Sequence, residues 1–311
     1  MTKCYRPEGH LLDTPNNQAL CASPAALRRA MEQEVILEGS AILCGPEHGL
    51  WVDVGPFRGY MPRTETALGI ADGSTRDIAI LSRVGRPVCF TVEALEEREG
   101  RLCPILSRRR AQELAQAALL DSLSPGQVLP VRVTHLEPFG AFVDIGCGVP
   151  SMIGIENISV SRTPRPSARF SVGQDIYAVV LDLDREAKRV YLTHKELLGT
   201  WAENAGRFQA GMTVPGIVRG LKEYGAFVEL APNLSGLAEV KPGLEEGDRV
   251  SVYLKAILPD RMKIKLLAID RLPPLPGPPP LTYFITEGRM EQWKYAPAGC
   301  SRLGAETVFF G

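Results

Sequence analysis

The sequence predicts a chain dominated by β-structure: three tandem five-stranded barrels joined by short helices, then a proline-rich spacer and a small C-terminal segment. Three observations carry this reading. Four sequence blocks recur in the same order three times along the chain. Within the blocks, apolar and polar residues alternate with a period of two, the pattern of half-buried strands. Each repeat is only about 65 to 75 residues long, and a sheet that small needs its edges managed, which closure into a barrel achieves.

The blocks are read in chain order. The clearest is EHGLWVDVG at 47–55, PFGAFVDIG at 138–146 and EYGAFVELA at 223–231, with its glycine at Gly49, Gly140 and Gly225. A lead-in precedes each: EGSAILCG at 38–45, PGQVLPVRVTHL at 125–136 and AGMTVPGIVRGL at 210–221. A glycine and an alternating stretch follow: VGRPVCFTV at 84–92, VGQDIYAVV at 172–180 and EGDRVSVYL at 246–254. A last short strand closes each unit: GRLCPILS at 100–107, KRVYLTHK at 188–195 and RMKIKLLA at 261–268. Val131 and Val133 share one face, as do Ala141, Val143 and Ile145. Five short strands in a closed barrel of this size make the OB-fold the natural candidate.

Between the blocks the pattern becomes helical. A tail and a first helix fill 1–33, the helix starting at Ser23-Pro24 with loose residues before it. The barrel units are expected at 34–107, 124–196 and 209–270. A linker helix at 108–123 is capped by Ser107, with Ala111, Leu114 and Ala118 on one stripe. A second linker helix at 197–208 has capping-box spacing at Thr193 and Glu196, pairs Leu197 with Trp201, and stops at Gly206. The segment 271–280, RLPPLPGPPP, holds six prolines and reads as a stiff extended spacer, with a ligand for a proline-reading domain as the lesser alternative. In 281–311 a small hairpin is expected to turn at Glu287-Gly288, and Tyr283, Phe284, Trp293 and Tyr295 suggest that it docks.

Composition narrows the function classes. The 311 residues are 45% hydrophobic and 23% charged, with a formal net charge of -1, so real cores can be buried and a strongly basic nucleic-acid glove is excluded. The first unit carries 7 Lys/Arg against 11 Asp/Glu, a net of -4; the second and third each carry 8 and 8. No apolar run reaches the length of a membrane span, and the N-terminus lacks a signal-type segment, so a cytoplasmic protein is expected. Seven scattered cysteines without CxxC spacing, and the histidines at 10, 48, 135 and 194, argue against disulfides and against a metal site. No nucleophile elbow, Walker loop or supported DxD site is present. Asp182 and Asp184 read as rim or turn residues, so no enzyme activity and no cofactor are expected.

The candidate chemistry lies in the aromatic pairs. Phe142 falls on the outward parity of its strand, and Gly140 permits a bulge or bend that brings Phe139 to the same surface. Tyr224 and Phe227 repeat this around Gly225, and His48 and Trp51 occupy the equivalent places around Gly49. Two exposed rings side by side make a stacking platform for unpaired bases, although aromatics in small barrels more often belong to cores. The loop SRTPRPSARF adds Arg162, Arg165 and Arg169, with no acidic residue between Asn157 and Gln174, to pair with a phosphate backbone. The SRRR run at 107–110 opens a helix, where cations oppose the macrodipole, so an external anionic partner is also conceivable there.

FGAFVDIG, followed by VGQDIYAVVLDLD and KRVYLTHKE, resembles the S-one domain, the OB-fold RNA-binding repeat of the largest bacterial small-subunit ribosomal protein. The resemblance spans about residues 30 to 270. With SRVGRPVCF and SRRRAQ in the first repeat, the chain is similar to the divergent clostridial form of that ribosomal family. The resemblance implies an RNA surface of two aromatics, a histidine, an aspartate and a basic residue. The aromatics fall on Phe139 and Phe142, and on Tyr224 and Phe227; the aspartate and cation fall on Asp184 with Arg189, and on Asp260 with Lys263. The histidine position falls instead on Gly154 and Glu239, and on Pro62 in the first repeat. The implied function is single-stranded RNA (mRNA) binding in translation, with Arg162, Arg165, Arg169, Arg189, Lys222 and Lys263 meeting phosphates. The first repeat would contact proteins of the small ribosomal subunit. No membrane and no small-molecule substrate are expected. The alternatives are a scaffold docking on a ribosome or RNA-degradation complex with vestigial RNA binding, and an accessory to a separate enzyme.

Overall fold

A computed structural model describes residues 5–239, 242–300 and 304–310; Cys4, among the cysteines counted above, lies outside them. Among these residues the strands form three closed barrels and one two-stranded sheet. Two helices come first, α1 (Pro15–Cys21) and α2 (Pro24–Glu32). The first barrel contains β1 (Leu37–Cys44), β2 (Leu50–Val54) and β3 (Phe57–Met61), then a short α3 (Ile78–Leu81), then β4 (Pro87–Arg98) and β5 (Arg101–Ser107). Helix α4 (Arg108–Ser122) leads to β6 (Val128–Glu137), β7 (Gly140–Asp144), β8 (Pro150–Gly154), β9 (Asp175–Asp184) and β10 (Arg189–Thr193). Helix α5 (Trp201–Ala205) precedes β11 (Thr213–Lys222), β12 (Gly225–Ala231), β13 (Leu234–Ala238), β14 (Arg249–Leu258) and β15 (Lys263–Arg271).

All three barrels share one strand order, first-second-third-fifth-fourth and back to the first. In each, the third and fifth strands run parallel and close the sheet. The period-two alternation explains why closure succeeds: Val131, Val133, Ala141, Val143 and Ile145 are all buried, as are Val218, Ala226, Val228 and Leu266 of the third barrel. The chain divides into two compact units, one reaching to Ser122 and including Asp144–Pro150, the other holding the rest from Leu123 onward.

In the first unit the residues before α2 are not loose. Thr14 caps α1 and Ser23 caps α2, each through its side-chain oxygen. The buried carboxylate of Glu38 accepts backbone N–H groups from Gly9, Leu11 and Leu12 at 2.5–2.8 Å, while Asn17 exchanges two hydrogen bonds with the Glu38 backbone. Glu8 is buried against Arg108, with Nε at 2.6 Å from Oε1 and Nη2 at 2.9 Å from Oε2. Burial pushes the Glu8 carboxyl up, but the Arg108 guanidinium bonded to it, together with the Arg83 charge 3.3 Å away, holds it below its ordinary value. The SRRR run is thereby spoken for: Arg108 serves Glu8, Arg109 serves Glu65 and Glu113, and Arg110 serves Glu34. The expected cap of α4 is present, since Ser107 Oγ accepts from Arg110 N at 2.9 Å.

The second unit corrects two expectations. The helix after β10 is broken into a 3-10 turn (Lys195–Leu198) and α5, and the capping box is formed by Thr200 and Glu203. Thr193 instead donates to the buried Glu196 carboxylate at 2.7 Å, whose other oxygen accepts from Thr307 at 2.6 Å. The C-terminal hairpin does not turn at Glu287-Gly288. Its strands are β16 (Gln292–Lys294) and β17 (Glu306–Val308), and Gly288 instead accepts from Val128 N on β6 at 2.9 Å. Trp293, Tyr295 and Phe309 join Trp201, Val128, Val179, Val218 and Leu266 in one apolar core. That core draws on both barrels of the unit.

Polar groups buried at the same junction are fully paired. Arg169, 1% exposed, places Nη1 at 2.8 Å from Glu229 Oε1 and also bonds Oε2 through Nη2. Arg219 also reaches both oxygens, through Nε and Nη2 at 3.1 Å each. Arg219 is the extra residue of a β-bulge, because Val218 pairs with Val228 and Gly220 with Phe227. Arg219 follows the inward Val218 and Glu229 follows the inward Val228, so both stand on the barrel's outer face, and burial of that face takes their charges out of water. Glu229→Gln should therefore cost about 3–5 kcal/mol in urea unfolding of the second unit, since it leaves two buried guanidiniums without their carboxylate; wild-type stability would refute the role given to this triad.

His194 is also fully buried. Its Nδ1 donates to the Ile158 carbonyl at 2.8 Å, which leaves Nε2 to accept from the Tyr283 hydroxyl at 3.0 Å. Burial lowers its pKa to about 4; the bond to Ile158 opposes this, and the Arg169 charge adds to it. Below about pH 6.5 the unfolded chain gains a proton that the folded one refuses. The stability of this unit should be complete above that pH and decline by about 3 kcal/mol toward pH 4. Thermal unfolding of wild type against His194→Gln checks it: the variant's profile should be flatter over this window.

Candidate nucleic-acid interface

The aromatic pairs are built by hairpin turns. Pro138 and Phe139 form the two-residue turn between β6 and β7, and Glu223 and Tyr224 form the turn between β11 and β12. The second ring of each pair stands three residues further on, on the outward face of the strand. Phe139 is 56% exposed and Tyr224 69%, with Phe227 at 36% and Phe142 half-buried. The ring centroids of Phe139 and Phe142 lie 6.0 Å apart at 85°, and those of Tyr224 and Phe227 lie 6.3 Å apart at 86°. Edge-to-face pairing is a favoured aromatic arrangement, so each pair is held while keeping ring surface open to solvent. The glycines allow close approach: a Cβ on Gly140 would come within 2.6 Å of the Ile153 carbonyl oxygen, and one on Gly225 within 2.8 Å of that of Ala238.

Side chains beside each pair follow the strand register. On the third barrel, Gly220, Phe227, Leu237 and Lys265 make one outward row across β11, β12, β13 and β15. Lys263 and Lys265 share the exposed face of β15, as Arg189 and Tyr191 share that of β10, where Tyr191 pairs with Met152. Asp184 pairs with Arg189 across the β9–β10 hairpin and accepts from Ala187 N at 2.8 Å, so it shapes that turn. Asp260 sits in the 3-10 turn joining β14 to β15, with Lys263 just after it. Lys222 is exposed beside Tyr224.

The sequence reading overlooked His135, Tyr191 and Lys265. The His135 ring lies 6.3 Å from that of Phe142, with Nε2 2.7 Å from Glu137 Oε1. An imidazole does therefore stand beside the second barrel's rings, supplied by β6. Alternation would place His135 on the inward face with Val131 and Val133, so the sequence carries no parity signal for its exposure. Gly154 closes β8 with Glu156 packed over it, and Glu239 is ion-paired to Lys255 at 2.7 Å.

The arginine loop is split. Arg169 does not reach solvent, because its guanidinium is consumed by Glu229, so it has no phosphate role. Arg165 is exposed but lines a groove with Ile217, Arg249 and the proline segment, away from the ring pairs. Arg162 is exposed and lines a cleft that includes Lys222 and Phe227.

The first barrel departs from the other two. Trp51 packs on Tyr60 at 4.9 Å, not on His48, whose Nδ1 lies 2.9 Å from Asp77 Oδ2. Arg63 shares that carboxylate, and its hydrogen bond is the main cause lowering the Asp77 pKa. Arg98 lies 4.9 Å over the Tyr60 ring, itself bonded to Glu96 at 3.0 Å. A cation with its counter-ion already occupies this ring face.

Among the described residues, no helix is long and apolar enough to cross a membrane, and no group of three or more His, Cys, Asp or Glu could hold a metal ion. Residues 122–195 match the model of the S1 RNA binding domain. The chain is 33% identical over 241 residues to the small ribosomal subunit protein bS1 of Staphylococcus aureus and of Staphylococcus epidermidis, covering 72% of this chain and 59% of each relative. It therefore spans about three fifths of the length of the curated relatives it matches. Among solved structures, a multidomain protein with nucleic acid binding domains from Streptococcus pneumoniae aligns over 76% of this chain and 73% of its own, at 15% identity and a TM-score of 0.25. GSP13 from Bacillus subtilis aligns over 23% of this chain and 55% of its own, at 25% identity and a TM-score of 0.22. Scores this low add no weight.

Proposed function

The chain belongs to the S1-like family, and on that premise we propose that it binds single-stranded RNA without catalysing a reaction, and acts in translation through mRNA or ribosome association. The carrying observation is the same exposed edge-to-face ring pair at the same hairpin turn in two barrels. A core role would not keep these rings at the solvent face. Bases stack on Phe139, Phe142, Tyr224 and Phe227, while Arg189, Lys222, Lys263 and Lys265 stand on outward faces as phosphate partners. The near-neutral body makes each contact weak, so two linked platforms act through effective concentration. The first barrel, net acidic and with Arg98 seated over its Tyr60 ring, is assigned to protein contact, with small-subunit ribosomal proteins as the expected partner class.

Fluorescence anisotropy with an unstructured RNA oligomer tests the reading. Binding should exceed that of a duplex control and weaken with salt. Phe142→Ala and Phe227→Ala should each cost about 1–3 kcal/mol of binding; affinity indifferent to both would end the platform reading. The Tyr60 ring of the first barrel, already carrying Arg98, favours a second reading, a docking scaffold on a ribosome or RNA-degradation complex. Co-sedimentation that survives nuclease and the double aromatic substitution would select it.

A further inference from the structure

We infer that the third barrel's nucleotide site is composite: its missing outward side chain at Gly220 is replaced by Arg162, contributed by the second barrel. The inference rests on the RNA-binding reading above and assigns one residue of that site across a barrel boundary. Gly220 and His135 occupy the same place in their barrels, each two residues before the last residue of the barrel's first strand and beside the outward ring of the second. His135 fills that place with an imidazole; Gly220 leaves it bare. A Cβ built on Gly220 would sit in ordinary contact with Arg162 Nη1 at 3.7 Å and Glu246 Oε1 at 3.8 Å, so the guanidinium, with its carboxylate partner, stands directly beside the bare position.

Arg162 is held in that place by its neighbours. Ser161 N donates to the Pro232 carbonyl at 3.2 Å, the Ser161 and Ser235 hydroxyls are 3.0 Å apart, and Val160 N donates to Asn233 Oδ1 at 2.9 Å. Seven residues later, Arg169 anchors the far end of the loop on Glu229. The loop thus belongs to the second barrel by sequence and to the third by its attachments. With Lys222, Phe227 and Tyr295, Arg162 lines a cleft of about 500 Å³, within the range of small-ligand sites. Its charge meets Glu246 Oε1 only at 3.6 Å, and its side chain is 66% exposed. One nucleotide of a single strand fits this chemistry, its base on Phe227 and its phosphate between Arg162 and Lys222.

A double-mutant cycle on the full chain, read as affinity for a fluorescent unstructured RNA, tests it. Arg162→Ala should weaken binding roughly fivefold in wild type, less than twofold beside Phe227→Ala, and undiminished beside Phe142→Ala. Glu246→Gln, which removes the competing carboxylate, should tighten binding, and only while Arg162 is present. Circular dichroism of each variant checks folding; both charged positions are exposed. Independence of Arg162 and Phe227, or coupling of Arg162 to Phe142 instead, would overturn the composite site while leaving RNA binding intact. A wild-type chain that binds no single strand would overturn both readings.

Discussion

A single carboxylate governs the arrangement of the second unit. Glu229 stands on β12 at a buried position, where its charge is tolerable because Arg169 and Arg219 both bond its carboxylate. Each arginine arrives by a separate device. Arg219 stands on the neighbouring strand β11, on the outer face that Glu229 shares, and Arg169 comes at the end of a loop from another barrel. Once that pairing is required, the loop between β8 and β9 has no freedom to lie elsewhere. Its exposed residues, Arg162 among them, take positions dictated by a neutralisation problem in the interior. Surface chemistry here follows from buried electrostatics.

The barrels show how one scaffold is adapted by what surrounds it. Strand order and closure are common to all three. The outward face of the first is capped by its own cation, that of the second carries an imidazole, and that of the third is bare at Gly220. None of these differences disturbs the interior, since outward positions answer only to the pleat. The side chains that would read a ligand can therefore change while the fold stays fixed.

Much of this was legible in the sequence because it is local. The repeats, the period-two strands, the Ser107 cap and the outward parity of Phe142 and Phe227 depend on residues within a few positions of one another. Arg169 was not legible as a buried residue: its partner is sixty positions away, and nothing nearby in the chain marks a guanidinium that will lose its water. Thr193 and Glu196 had capping-box spacing, yet the carboxylate was claimed by Thr307, far along the chain. His135 was hidden for a different reason: it shares the parity of the buried Val131 and Val133, so alternation points it inward, yet it stands exposed beside Phe142. The N-terminal residues looked loose because their ligand, Glu38, is a strand residue whose inward carboxylate no propensity rule anticipates.

The C-terminal segment places a condition on the order of synthesis. All fifteen barrel strands are present by Arg271. Phe309, by contrast, belongs to the core that also buries Trp201 and Val218. A nascent chain can thus complete both barrels of the second unit while their shared interior stays unsealed, with Trp201 lacking its cover and Glu196 lacking one of its donors. Until the last of these residues leaves the ribosome, the unit must persist as two finished sheets around an unfinished seam. That is an interval of exposed apolar surface in which premature association is the chief hazard.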